Sequence, residues 1–218
     1  MREINTKLLK KLVLGTAQIG SKYGITNSKA ISDKEAKEIF SFCEINNINK
    51  IDTAISYLQS ENIIGKYADD TWIINTKLPK IDNNTLNVDY FVRNTVNDSI
   101  KKLNIKNINC LFVHNSETLF CKNSDEIYNS LLTLRKEKLI RNIGISVYTP
   151  SELNKVLRYY SFDYIQVPIN VLNQSFVHNN NLKKLELENT VLQARSIFLQ
   201  GLLLLDEKKL PQKFINEK

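Results

Sequence analysis

Seven apolar runs separated by stretches of helical periodicity constrain this chain more than any other feature. They span Leu12 to Thr16, Ile48 to Ile55, Trp72 to Leu78, Ile108 to His114, Ile140 to Val147, Phe162 to Ile169 and Thr190 to Leu199. Short continuous apolar runs suit strands covered on both faces, and their alternation with helices predicts βα units around a parallel sheet. Two architectures fit such a repeat: an open doubly wound sheet and a closed barrel. A dinucleotide-binding first unit should carry G-x-G-x-x-G, but Gly15-Thr16-Ala17-Gln18-Ile19-Gly20 lacks the middle glycine, so a (β/α)8 TIM-type barrel is the better reading. A full barrel needs eight strands and about 250 residues. With 218 residues and seven runs, the expectation is one barrel domain over residues 1–218 whose eighth βα unit is missing.

Local signals between the runs agree. Ser32-Asp33-Lys34-Glu35 forms a capping box ahead of a stripe of Ala36, Ile39, Phe40 and Cys43. Thr149-Pro150-Ser151-Glu152 forms another, with proline at the first helical position. Asn87 or Asp89 is expected to cap a helix that buries Val92, Val96, Ile100 and Leu103, and Ser124 one that buries Ile127, Leu131 and Leu134.

Composition narrows the function classes. A formal charge of +7 would suit a phosphate polymer if the basic residues were clustered, but they are scattered. The joint excess of Lys, Asn and Ile is what an AT-rich coding sequence produces, so nucleic acid is not expected as a partner. No run approaches the roughly 20 apolar residues of a membrane helix, and Met1 to Lys11 has no signal-peptide character. A soluble cytoplasmic protein is the expectation. Cys43, Cys110 and Cys121 lack disulfide or zinc spacing, and His178 has no ligand partner nearby in sequence, so no metal is expected.

Four polar residues lie at or just past the ends of apolar runs, where a parallel α/β protein places its chemistry: Asp52, Tyr57, Lys77 and His114. Singly, each has an ordinary structural reading as a turn residue, a loop aromatic, a solvated strand end or a satisfied histidine. Together they form a constellation suited to carbonyl reduction. Hydride addition builds charge on oxygen, so the site needs an acid and electrostatic stabilisation there. Tyr57 could be that acid, with the Lys77 ammonium expected to make the phenol more acidic, Asp52 to hold Lys77, and His114 to orient the carbonyl in its neutral form.

From Asp52 the chain reads Asp-Thr-Ala-Ile-Ser-Tyr, then Ser60-Glu61-Asn62-Ile63-Ile64-Gly65, Thr76-Lys77 and Val113-His114. In this order and spacing it resembles the aldo-keto reductases, whose catalytic tetrad comes from D-x-A-x-x-Y, a strand-end Lys and a strand-end His. The likeness covers essentially the whole chain, including Leu14-Gly15-Thr16-Ala17, Ile143-Gly144-Ile145-Ser146, Tyr164-Ile165-Gln166 and the segment Arg195 to Leu202. The resemblance implies an oxidoreductase that reduces an aldehyde, ketone or sugar-derived carbonyl with NADPH or NADH. It assigns Ser146 and Gln166 to the nicotinamide carboxamide. It assigns Arg195, Ser196, Phe198, Leu199 and Gly201 to a segment wrapping the pyrophosphate, and it gives Glu61 a structural role. The Arg195–Leu204 pattern also looks like reductases found with bacterial surface-polysaccharide genes.

Two departures set the alternative. Val147 stands where relatives often carry an asparagine, and nothing after Leu210 resembles their eighth unit, which grips the adenosine. A non-catalytic, aldo-keto reductase-like binding or regulatory protein, or a remnant with impaired cofactor binding, is therefore the rival reading. Open barrel edges would also favour self-association.

Overall fold

The computed structural model describes residues 6–24, 29–177, 185 and 189–210. After a short helix α1 (Thr6–Leu9), strands and helices alternate: β1 (Leu14–Gly15), α2 (Asp33–Ile45), β2 (Lys50–Asp52), α3 (Ser60–Tyr67), β3 (Ile73–Leu78), α4 (Val88–Leu103), β4 (Ile108–Val113), α5 (Ser124–Lys136), β5 (Ile140–Ser146), α6 (Pro150–Val156), β6 (Tyr164–Pro168) and β7 (Val191–Arg195). All seven strands pair in parallel and in sequence order, β1 to β7. The sheet is curled rather than flat. Side chains of β6 and β2 meet, with Gln166 donating to Asp52 at 2.8 Å, and so do those of β3 and β7, with Asn75 donating to Gln193 at 3.3 Å. This is the incomplete barrel that the alternating runs foretold, with β1 and β7 at the two ends of the sheet.

The strands divide their side chains between two sides. Leu78, Leu111, Val113, Ile143, Ile145, Val147, Ile165 and Val167 join the helix residues Val92, Val96, Ile127, Leu131 and Leu153 in one buried cluster outside the sheet. A second cluster packs α2 and α3 against β2 and β3 through Phe40, Ile51, Ile64, Trp72 and Ile74. The inner side is more polar than the strand pattern suggested. Asn109 donates to Asn75 at 2.8 Å, and Asn142 donates to the Asn109 carbonyl at 2.8 Å, so a chain of amides links β3, β4 and β5 and reaches β7 through Gln193. Buried amides are tolerated because each finds a partner.

Two glycines allow close approaches. A Cβ on Gly65 of α3 would lie 2.1 Å from the Lys102 carbonyl of α4, and one on Gly144 of β5 would lie 2.5 Å from the Phe112 ring of β4. The Ser32 capping box is complete, Thr149 caps α6 above its N-terminal proline, and Asn87 accepts from the Tyr90 amide to cap α4. Helix α5 differs from the expectation. Ser124 is its first helical residue and Asn123 is the N-cap, which makes no side-chain cap bond; instead the Ser124 amide turns back onto the Cys121 carbonyl.

Other runs shorten at their ends. Strand β2 ends at Asp52 because the chain begins to turn, although the Thr53 and Ile55 amides still reach the Asn75 and Lys77 carbonyls. Strand β7 ends at Arg195, where Ser196 takes a positive φ of 57°. His178 and residues 211–218 lie outside the described residues. Among the described residues no helix is long and apolar enough to cross a membrane, and no cluster of His, Cys, Asp or Glu could hold a metal ion.

Candidate active site

The carboxyl ends of β2, β3 and β4 bring the four singled-out side chains into one place. Lys77 is 2% exposed, too buried to keep its ammonium without compensation. Its Nζ donates to Asp52 Oδ2 at 2.6 Å and to the Thr53 carbonyl at 2.7 Å. Asp52, with a side chain 16% exposed, also accepts from Gln166 Nε2 on its other oxygen. The Tyr57 ring lies beside this pair, its centroid 5.7 Å from Lys77 Nζ. The imidazole of His114 meets that ring edge-on, with centroids 6.2 Å apart.

The turn that presents Tyr57 is built with strain and braced from below. The Tyr57 amide bonds the Ala54 carbonyl, the Ser60 amide bonds the Tyr57 carbonyl, and Leu58 between them sits at φ 42°, a left-handed conformation unfavourable for a bulky residue. The buried hydroxyls of Thr16, Thr53 and Ser60 hold it. Ser60 Oγ lies 3.1 Å from Thr53 Oγ1 and 3.0 Å from Thr16 Oγ1, and Thr16 Oγ1 donates to the Asp52 carbonyl. Glu61, at the start of α3, accepts from Thr76 at 2.8 Å and Ser99 at 2.7 Å, anchoring the helix that follows the turn to β3 and α4. Its position suits the structural role expected for it.

The electrostatics correct one expectation. The Tyr57 phenol is not made more acidic; burial pushes it well above its ordinary value, and the Asp52 carboxylate adds to the rise. Lys77 does not offset this because its charge is committed to Asp52 and the Thr53 carbonyl. The cation that acts in the other direction is Arg195. His114 is pushed down to about 4, by burial first and then by Lys77, so its imidazole is neutral near pH 7, as its proposed role requires.

Residues assigned to the cofactor fall around the same end of the barrel. Ser146 is buried at the end of β5 and Gln166 midway along β6, and Ser146 Oγ donates to Gln166 Oε1 at 3.3 Å. They therefore continue a polar chain from Asp52 rather than standing free. After β7 the backbone makes a series of tight turns with positive φ at Ser196, Leu199, Gln200 and Gly201. The amides of Leu199, Gly201 and Leu202 close onto the carbonyls of Ser196, Phe198 and Leu199. Among the described residues, those of Ile197, Phe198 and Gln200 have no backbone acceptor. Nothing lies within 4 Å of a Cβ built on Gly201. Unspent amides in a left-handed run, beside open space, fit an anionic group such as a pyrophosphate.

Sequence reasoning missed the hydroxyl brace and Tyr148. Tyr148 follows β5, and the Arg195 guanidinium lies 4.2 Å from its ring centre. An aromatic just past a strand end was the only signal it offered.

A curled parallel sheet with a buried ion pair, a phenol and a neutral imidazole at its strand ends has the form of a TIM-type α/β enzyme. The chain belongs to the Aldo/keto reductase family, whose profile it matches over residues 11–217. Members of that family are oxidoreductases that typically use NAD(P)H. Among curated relatives, D-arabinose 1-dehydrogenase of Saccharomyces cerevisiae is 29% identical over 149 residues, covering 63% of this chain and 42% of its own length. The chain thus spans under half of the curated relative it matches. An aldo-keto reductase structure from Pseudomonas aeruginosa is 25% identical with a TM-score of 0.70, over 85% of this chain and 73% of that one. The holo form of an aldo-keto reductase from Bacillus halodurans shares the fold at a TM-score of 0.72 and 22% identity, over 93% of this chain and 66% of that one.

Proposed function

We propose that this chain reduces an aldehyde, ketone or sugar-derived carbonyl to an alcohol, with NADPH or NADH as electron donor and Tyr57 as proton donor. The observation that carries this reading is the buried Lys77–Asp52 pair with the Tyr57 and His114 rings beside it at the strand ends. The dehydrogenase named for an aldose among its relatives makes a sugar-derived substrate the natural first choice.

A reduced nicotinamide, when bound, supplies the hydride; Ser146, Gln166 and the turns from Ser196 to Gly201 are the residues that would hold it. His114, neutral and half-buried, donates its ring N–H to the substrate oxygen and fixes its orientation. Tyr57 keeps its proton in the resting site because burial disfavours the phenolate. As negative charge grows on the substrate oxygen, that proton passes from Tyr57 Oη to it, and the alcohol forms. The phenolate left behind faces the Arg195 guanidinium, whose field lowers the cost of the transfer. Asp52 holds Lys77 in register through the 2.6 Å contact, and Gln166 holds Asp52.

The rival, a non-catalytic binding protein, draws on one observation: Ser146 is bonded to Gln166, and Gln166 to Asp52, rather than left open. Titration of the purified chain with NADPH and NADH, followed by cofactor fluorescence, separates the two. Saturable binding with carbonyl-dependent cofactor oxidation is expected. No binding at millimolar cofactor would favour the rival.

A further inference from the structure

Arg195 is a cation at the strand ends that lacks a counter-ion among the described residues. Its hydrogen bonds among the described residues are long ones, 3.4 Å to Ser196 Oγ and 3.4 Å to the Val147 carbonyl. Its Nε is buried with no partner among the described residues. Burying any part of a guanidinium so poorly satisfied is costly unless an anion completes it. Glu152, whose carboxylate accepts from the Tyr148 amide and the Ser116 hydroxyl, makes no salt bridge to it among the described residues.

A charge count over the site gives the same answer. Lys77 and Asp52 cancel, Tyr57 holds its proton, and His114 is neutral near pH 7. Arg195 adds a positive charge beside them that no salt bridge among the described residues offsets. Its guanidinium rests on the Tyr148 ring, 4.2 Å from the centre, while that tyrosine remains 57% exposed. A guanidinium stacked on a ring keeps its in-plane N–H edge for a bidentate acceptor, and a carboxylate matches that fork.

We propose that Arg195, backed by Tyr148, is a substrate-recognition residue, and that the carbonyl compound reduced at this site carries a carboxylate. This rests on the reductase reading above. The placement favours the substrate over the cofactor pyrophosphate, because the guanidinium charge acts on both Tyr57 and His114, at the reacting end of the pocket. The unspent amides of Ile197, Phe198 and Gln200 lie further along the chain and serve the phosphate role independently.

The test compares 4-carboxybenzaldehyde with its methyl ester, using NADPH, in the wild-type chain, Arg195→Gln and Arg195→Lys. The ratio of kcat/KM for acid over ester cancels any shared effect on the cofactor. Wild type should favour the acid by roughly tenfold to a hundredfold, the range of a charged hydrogen bond. The ratio should fall close to one in Arg195→Gln and lie between in Arg195→Lys. Calorimetry with 4-(hydroxymethyl)benzoate and NADP+ adds a readout that needs no turnover, and its binding should weaken in parallel. Arg195-dependent binding without turnover would sink the reductase reading and leave the recognition site standing. Turnover with a wild-type ratio near one would overturn this proposal alone. So would an Arg195→Gln chain that loses NADPH affinity while keeping its preference for the acid, since the anion would then be the cofactor's.

Discussion

Replacing Lys77 by methionine tests whether the ion pair is the structural hub of the site. The substitution keeps the length of the stem and removes two charged hydrogen bonds, at 2.6 Å to Asp52 and 2.7 Å to the Thr53 carbonyl. Asp52 would be left with Gln166 alone, and the Thr53 carbonyl with no side-chain donor. Breaking a buried pair from one side costs about 3 to 5 kcal/mol. Asp52 keeps a side-chain exposure of 16% and one amide donor, which argues for the low end, about 3 kcal/mol. Urea unfolding followed by circular dichroism measures it, with an unchanged m-value as the check on two-state behaviour. Asp52→Asn with Lys77→Met closes a double-mutant cycle in which the second change should recover about 2 kcal/mol of the loss. Strict additivity, or a Lys77→Met loss below about 1 kcal/mol, would mean that the two charges are not coupled in a desolvated site.

Other expectations follow from the same geometry. The imidazole of His114 should titrate at about 4 by proton NMR. Because that value lies below its ordinary one, the unfolded chain binds the proton first as pH falls, so His114 withdraws stability between about 6.5 and about 4; His114→Gln should remove that part of the pH slope in urea melts. Gly65→Ala should destabilise by about 1 to 3 kcal/mol or more, since its Cβ would meet the Lys102 backbone carbonyl rather than a side chain that could move; an unchanged unfolding midpoint would contradict the packing of α3 on α4. Leu192 of β7 is 37% exposed and Val191 45%, next to a sheet edge that no strand among the described residues pairs; sedimentation velocity should show concentration-dependent self-association that Leu192→Lys reduces, whereas a monomer at every concentration would count against it.

The fold was readable because the apolar runs carry a period that only covered strands require, and the caps at Ser32 and Thr149 punctuate them where the helices begin. That the four candidate residues would come together was readable for a related reason: a polar residue ending an apolar strand has few places to go except the mouth of the barrel. What escaped notice depends on side chains that meet only after the sheet curls. Asn75, Asn109 and Asn142 looked like a share of a biased composition, yet they bond one another and Gln193 inside the barrel, linking residues 118 positions apart. The acidity of Tyr57 was misread because sequence shows that a lysine is near but not how its charge is used. Burial raises the phenol's pKa while Asp52 takes the ammonium. Arg195 posed the opposite problem, since its want of a counter-ion is visible only with the neighbouring elements in place.

The central claim is that Tyr57 hands its proton to a carbonyl oxygen during reduction. Turnover of Tyr57→Phe at saturating NADPH, beside a cofactor titration of the same preparation, addresses it without intermediaries. Cofactor binding should persist while kcat falls by about 10² to 10⁴, the range for losing a positioned acid. Wild-type turnover in the phenylalanine variant would show that the proton comes from elsewhere.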